Sequence, residues 1–407
     1  MKRYMGAEFH QQESIWLSWP IEEFATETLE TDLVTLEMLR HIPRDVSIFI
    51  ICYDEEVKKR AEEKIAKNNL NRENLVCIEY PAEVIYPRDF GMDIVLENGE
   101  KKYVSHLFDG YGYFGLEDER SKSLISLTPF QAKEHGIESS VSLPLVTEGG
   151  DHEFNGNGVL MMIEETEVDK RNPDLSKEEV EDLFKAAYGV EKIIWLPQGS
   201  YEDEDYLLGP IPDEKNEMKA FRSSSANGHI DEICRFVAED TILMSHVTNE
   251  EASKSFLHHY NKERFDQARK VLKEVTQISG EPFKVINMPV PEPIYIELTP
   301  SDIMYEYAYP FTGEYLDGTK APEGNLTVLP ALSYCNFLIL NEVVLAQSYY
   351  QPGLPEKIKE KDEEALKILQ SVFPDKKIIP INTLALNLFG GGIHCNTKNI
   401  PSYHFNQ

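Results

Sequence analysis

The chain has 407 residues, 41% hydrophobic and 27% charged, which is the composition of a globular protein with room for one large domain or two ordinary ones. Its 71 acidic residues against 40 basic ones leave a net charge of −31, a field that repels nucleic acid and anionic membranes and admits cations. No apolar run approaches the roughly 20 residues of a membrane helix, the nearest candidate at 337–346 being broken by Asn341 and Glu342, and the first residues lack the apolar centre of a secretion signal, so a cytoplasmic protein is expected.

In chain order, residues 15–19 read as a strand, 26–41 as a helix and 46–52 as a strand. A weaker unit starts with a hairpin over 93–106, whose turn is Asn98-Gly99. Residues 159–163 form an apolar, branched run. Ser176 and Glu179 then make a capping box, Val180, Leu183, Phe184 and Ala187 share one helical face, and Gly189 stops the helix before a strand at 192–196. The polar stretch 201–227 reads as a long surface loop. The strand–helix–strand order returns at 242–247, 262–279 and 283–288, and again as a hairpin around Asn341-Glu342, a helix at 362–373 and a strand at 377–381. Four clear mixed units and one weaker one predict an α/β protein. Pattern alone leaves open whether they are arranged symmetrically, since their sequences share no identity.

The five cysteines lie far apart and are odd in number, so neither a disulfide framework nor a thiolate zinc site is expected. A single such cysteine is ordinarily a small buried hydrophobe. Four runs nevertheless set reactive side chains beside glycine: Pro87-Arg88-Asp89-Phe90-Gly91, Thr147-Glu148-Gly149-Gly150, Asn227-Gly228-His229-Ile230-Asp231, and Gly390-Gly391-Gly392-Ile393-His394-Cys395. Each is ordinary alone: an Arg-Asp turn is usually salt-bridged, and a His-x-Asp pair is more often a core histidine with a partner. If a strand begins after Gly228, His229 and Asp231 point to the same face. Three successive glycines cost chain entropy, and a ligand approaching the backbone would account for them.

Together the runs fit one chemistry. A guanidinium is a flat cation whose N–H forks match carboxylates in its plane. Its central carbon is a poor electrophile and calls for a thiolate. Ammonia must leave protonated and the following water must lose a proton, tasks one histidine performs in turn when a carboxylate orients it. Asp89, Asp231, His229, Glu148 and Cys395 supply that set. A free thiol has a pKa of about 8.5, so Cys395 must be activated by its surroundings or by the bound cation.

These residues, with Ala7-Glu8-Phe9-His10, Trp16-Leu17-Ser18-Trp19-Pro20, Arg171-Asn172-Pro173, Lys192-Ile193-Ile194-Trp195-Leu196-Pro197 and Ser333-Tyr334-Cys335-Asn336-Phe337, occur in an order that resembles the agmatine deiminase and bacterial-type peptidylarginine deiminase family of the pentein superfamily. The resemblance implies a single catalytic domain over 1–407, a five-bladed α/β propeller of ββαβ units around a pseudo-fivefold axis, with a loop insertion at about 200–227. It implies hydrolysis of agmatine to N-carbamoylputrescine and ammonia, a step toward polyamines, through a covalent thiouronium on Cys395. His229 is then the acid and base, Glu148 its support, Asp89 and Asp231 the guanidinium clamp, and Asn336 an accessory. It implies no metal and no cofactor, a small cationic guanidino substrate as partner, and homo-oligomers, which are common among such enzymes.

Tyr86 and Met92 stand where agmatine deiminases usually carry Trp and Pro, and the segment between Gly199 and Gly228 is longer than usual. In that segment Glu202, Asp203, Glu204 and Asp205 are candidates to receive an amine and Arg222 a carboxylate, while His394 is expected to point away from Cys395. Rival readings are deimination of free or peptidyl arginine, amidinotransfer, and a cation binder without turnover.

Overall fold

The computed structural model describes residues 3–211, 220–310 and 312–403. Among them, no helix is long and apolar enough to cross a membrane. Five small sheets share one connectivity. In four of them a strand pairs antiparallel with the strand just before it, then parallel with the next strand after a helical crossover, as parallel strands require. These sheets are built on Asp93–Glu97, Glu100–Leu107 and Ser140–Val146; on Glu153–Phe154, Val159–Ile163 and Lys192–Leu196; on Cys234–Ala238, Thr241–His246 and Lys284–Pro289; and on Leu338–Ile339, Val343–Ser348 and Lys377–Asn382.

In the fifth sheet the central strand is Gln12–Ser18. Its parallel neighbour is Ser47–Cys52, and its antiparallel partner is Thr397–Pro401 from the far end of the sequence. The weaker unit expected at 93–106 is therefore as regular as the others. Asn98 at φ 54° and Gly99 at φ 88° form its turn, the two positive φ angles of a type I′ hairpin.

Local signals placed most helices. Ser176 accepts from Glu179 N at 3.3 Å while Glu179 accepts from Ser176 N at 2.8 Å, and Gly189 ends the Lys177–Tyr188 helix at φ 72°. Val159–Ile163 is buried along its whole length, as expected of a strand covered on both faces.

Tertiary pairing moved three boundaries. Residues 26–30 are not helical: Phe24–Thr26 pairs with Leu29–Glu30, and the helix is Thr31–His41. The helix expected at 262–279 is Phe256–Glu274, started by Ser255, whose hydroxyl accepts from His258 N. The helix expected at 362–373 starts earlier, as Glu356–Val372 behind Pro355.

The stretch 201–227 is also more than a loop. Pro210–Ile211 and Ala220–Arg222 join Leu326–Leu329 and Ile296–Leu298 in a sheet outside the five repeats. Residues 212–219 of the expected loop lie outside the described residues.

The sheets position the site by one rule. Immediately before the antiparallel strand of each lies a short turn: Pro87–Phe90, Gly149–Asp151, Ile230–Glu232, residues 333–336 and residues 393–396. Asp89, Glu148, His229, Asp231, Asn336 and Cys395 each lie in or beside one of these turns, whereas Glu202, Asp203, Glu204, Asp205 and Arg222 lie in the 200–227 segment.

Candidate active site

The thiol of Cys395 is buried and surrounded by polar groups from two other turns. Asn336 Nδ2 donates to Sγ at 3.0 Å, and Sγ donates to Asp231 Oδ2 at 3.4 Å. Asn336 Oδ1 accepts from His394 N at 3.0 Å, and Asn336 Nδ2 also donates to Glu232 Oε1 at 2.9 Å. Asn336 thus contacts the sulfur and holds its backbone. Glu232, which sequence reasoning passed over, lies with Oε1 4.0 Å from the sulfur. Ligand atoms of Asp231, Glu232 and Cys395 fall within 4.8 Å of one another, the one grouping among the described residues spaced to hold a metal ion.

His229 lies between two carboxylates, its Nδ1 3.7 Å from Asp89 Oδ1 and its Nε2 3.5 Å from Glu148 Oε2. It does not open a strand. An extended His229 leads into the Ile230–Glu232 turn, because Asp203 takes up His229 N at 2.9 Å and Asp151 takes up Ile230 N at 2.8 Å. The alternation of a strand is therefore not what brings His229 and Asp231 to one site.

Asp89 accepts from Tyr111 Oη at 2.7 Å and from Gly150 N at 3.0 Å. Glu148 accepts from Arg171 Nε at 2.7 Å. Arg171, present in a family motif but given no role, is thus the cation that holds Glu148. The glycines serve close packing. A Cβ on Gly150 would fall 2.5 Å from His229 Nδ1, one on Gly391 would fall 3.0 Å from Cys395 Sγ, and one on Gly392 would overlap Asn336 and Gln347. Backbone and side-chain crowding thus accounts for Gly391 and Gly392, where the sequence suggested a ligand.

Several buried polar atoms are left without hydrogen bonds: both ring nitrogens of His229, Glu148 Oε2, Asp231 Oδ1 and Glu232 Oε2. Buried polar groups are ordinarily satisfied; here His229 Nε2 and Glu148 Oε2 face each other at 3.5 Å, while Asp231 Oδ1 and Glu232 Oε2 have no hydrogen-bond partner among the described residues.

The charges are skewed. Burial works against the His229 imidazolium, but Asp89, Glu148 and Asp231 outweigh it and hold its pKa well above the usual value. Burial, then Asp231, Glu232 and Asp89, drive the Cys395 thiol well above its ordinary range. The surroundings therefore oppose the thiolate. Burial also raises Asp89. Glu148 is buried too, yet Arg171 and His229 hold it down at about 2. Asp231 is lowered, since His394, His229 and Arg235 together overcome its burial.

His394 does not point away from the site. Its Nδ1 and Nε2 each lie 2.7 Å from a carboxylate, that of Asp231 and that of Glu8. The expectation failed because residues 393–396 form a turn, in which neighbouring side chains need not diverge as on a strand.

A cavity of about 440 Å³ has Cys395 and Asp89 in its lining, with Tyr86, Phe108, Tyr111, Tyr113 and Phe389 among its walls and Glu22, Glu83 and Glu306 among its acids. Among the described residues Arg120 is its one lining cation, and it is engaged by Asp118 at 2.8 Å and stacked 3.6 Å over Phe114. The acids of the insertion are not free to receive an amine. Asp203 accepts from Ala226, Gly228 and His229 backbone, Glu204 pairs with Arg222, Glu202 accepts from Asn261, and Asp205 caps Leu207 N. Arg222 is equally committed, to Glu204 and to the carbonyl of Tyr201.

The chain is similar to known proteins along nearly its whole length. The agmatine deiminases of Medicago truncatula and Pseudomonas fluorescens are each 28% identical to this chain over 98% of its length, covering 96% and 95% of their own. The solved agmatine deiminase of Enterococcus faecalis shares the fold, with a TM-score of 0.75 at 23% identity over 98% of this chain and 96% of that one. Residues 4–208 and 218–401 match the Porphyromonas-type peptidyl-arginine deiminases, and the chain belongs to that family.

Proposed function

We propose that the protein is a guanidine deiminase, a hydrolase of C–N bonds in linear amidines, converting agmatine to N-carbamoylputrescine and ammonia. One observation carries the reading: the Cys395 thiol sits in a buried cluster of carboxylates, on a cavity whose described lining holds no free cation, and His229 lies between two carboxylates, Asp89, which lines the same cavity, and Glu148.

The guanidinium enters between Asp89 and Asp231. Its charge offsets theirs, the thiol pKa falls, and the thiol proton leaves to solvent as the cation binds. The thiolate bonds to the guanidinium carbon. His229, an imidazolium held by Glu148, gives its proton to one nitrogen, the C–N bond breaks and ammonia departs, leaving a thiouronium. Neutral His229 then takes a proton from water as its oxygen adds to that carbon. The C–S bond breaks, the hydroxyl proton passes to the leaving sulfur, and the ureido product is free. Asn336 steadies the sulfur throughout.

Agmatine is favoured over free arginine because an α-carboxylate would meet acids, and the one arginine of the cavity is already paired. The names of the relatives point the same way. The chain is one domain whose five like-connected sheets form the blades of an α/β propeller. Their shared connectivity and the pairing of Gln12–Ser18 with Thr397–Pro401 support this. The segment at 200–227 is an insertion on that frame, and four of its residues, Tyr206, Ser224, Ser225 and Ala226, line the cavity.

The test is to incubate the protein with agmatine, free arginine and a blocked arginine peptide, measuring ureido product and ammonia. Turnover is expected for agmatine foremost. No turnover of any of the three would end the reading.

A further inference from the structure

We infer that His394 is a positioning residue for the reaction: held between Glu8 and Asp231, it fixes the orientation of the Asp231 carboxylate toward the substrate. This rests on the deiminase reading above, in which Asp231 is one arm of the guanidinium clamp.

The geometry is a buried carboxylate–imidazole–carboxylate chain. His394 Nδ1 lies 2.7 Å from Asp231 Oδ2, and Nε2 lies 2.7 Å from Glu8 Oε2. An ionised carboxylate only accepts, so two ionised carboxylates at both nitrogens require both to carry hydrogen. His394 is the one basic side chain among the described residues in direct contact with Asp231.

Glu8, on the segment between the Arg3–Met5 and Gln12–Ser18 strands, cannot swing away from it. Its Oε1 accepts from Ile339 N at 2.9 Å and pairs with Arg235 Nη2 at 2.9 Å, while its Oε2 lies 3.4 Å from Arg88 Nη2. Arg88 in turn donates to the His394 carbonyl at 3.2 Å, and Arg235 pairs with Glu153. These are the charged groups packed around the imidazole, and all but His394 are already held by others.

The consequence falls on Asp231. Its Oδ2 is occupied by His394 and the Cys395 thiol, which leaves Oδ1 as the unpartnered oxygen. Without His394 the carboxylate would lose the contact that fixes its rotation. With Glu232 and Asp89 nearby, it would also share a proton more readily, since like charges raise one another's pKa. A protonated or rotated Asp231 does not hold a cation. His394 is the neighbour of the nucleophile in sequence, so one turn delivers both the sulfur and the group that orients the acid opposite it.

The experiment compares wild type, His394→Asn and Glu8→Gln over a pH series with agmatine, together with thermal melts. The shorter asparagine side chain cannot reach both carboxylates. His394→Asn should lower kcat/KM about tenfold to a hundredfold, the scale of a small misplacement of a reacting group. The acid limb of its kcat/KM profile should move to higher pH, because Asp231 loses the cation that keeps its pKa down. Glu8→Gln has one oxygen, which can accept from His394 or from Ile339 N but not from both, and it leaves the His394–Asp231 contact in place, so its limb should move the same way by less. A role confined to stability predicts lower melting temperatures with the limb unmoved, and that result overturns the inference. Should His394→Asn fail to fold, an unmoved limb in Glu8→Gln overturns it alone. If wild type itself does not turn over agmatine, the deiminase reading has failed instead.

Discussion

Asp203 and Asp231 are buried to the same degree, 0% exposed, and both lie within or next to the same polar stretch of sequence, yet their surroundings differ in kind. Asp203 accepts three backbone N–H groups, from Ala226, Gly228 and His229, and both its oxygens are engaged. Asp231 spends one oxygen on His394 and the Cys395 thiol and leaves the other unpartnered. Their acidities diverge accordingly. With burial dominant and only backbone donors attached, Asp203 is pushed up to about 6, whereas the charged partners of Asp231 hold it low. A carboxylate whose oxygens are all engaged by backbone is holding the chain. One with an oxygen to spare beside a thiol is available to a ligand.

Five variants break or sharpen that contrast. Cys395→Ser should cost the most, about a thousandfold or more in kcat, because the remaining residues cannot replace the nucleophile. Comparable turnover in that variant would remove the thiol from the chemistry. Asp231→Asn and Asp89→Asn should each lower kcat/KM by about a hundredfold to a thousandfold, the scale of losing one preorganised electrostatic contact. A wild-type value for either, measured by steady-state kinetics, takes that residue out of the clamp.

Arg171→Met should lower kcat/KM by about tenfold, the lower end of what a lost supporting contact costs. It should also raise the pH at which activity falls on the acid side. The sign follows from Glu148, whose folded pKa is depressed to about 2 in large part by Arg171: remove that cation, and the carboxylate facing His229 is lost at a higher pH as the solution is acidified. An unchanged acid limb would show that Arg171 does not tune this pair. Asp203→Asn should have the smallest catalytic effect. It should destabilise the fold by about 1–3 kcal/mol, the cost of disturbing buried hydrogen bonds, with the KM for agmatine near wild type. A large rise in KM with an unchanged melting curve would make Asp203 a substrate residue after all.

The contrast also explains which residues could be read from the sequence. Glycine beside Asp89, Glu148, His229 and Cys395 flagged all four, because crowding around a site excludes Cβ atoms and leaves a trace in composition, as at Gly150 and Gly391. The capping box at Ser176 and the Asn98-Gly99 turn were visible because their physics is local. Glu232, Arg171 and the link from Glu8 to His394 were not, since each depends on a partner far away in sequence: Glu8 and His394 are 386 residues apart. The acids of 202–205 misled for the same reason. Composition counts carboxylates but not the groups that engage them, backbone N–H at Asp203 and Asp205 and side chains at Glu202 and Glu204. The role of 201–227 as part of a sheet was hidden by its partners, Leu326–Leu329 and Ile296–Leu298, about a hundred residues downstream.

The strand after Cys395, Thr397–Pro401, completes the sheet begun by Gln12–Ser18. On the ribosome this gives the protein a fixed order of assembly. The other four sheets emerge first, carrying Asp89, Glu148, His229, Asp231 and Asn336, while Gln12–Ser18 waits without its antiparallel neighbour. Joining such distant segments is entropically costly and slow beside local pairing. Of the site residues named above, Cys395 is consequently the last to be delivered, and the strand that follows it is the one that closes the sheet. A nascent chain can thus present the other five before Cys395 has emerged. The last piece of the cluster and the closure of the sheet arrive together.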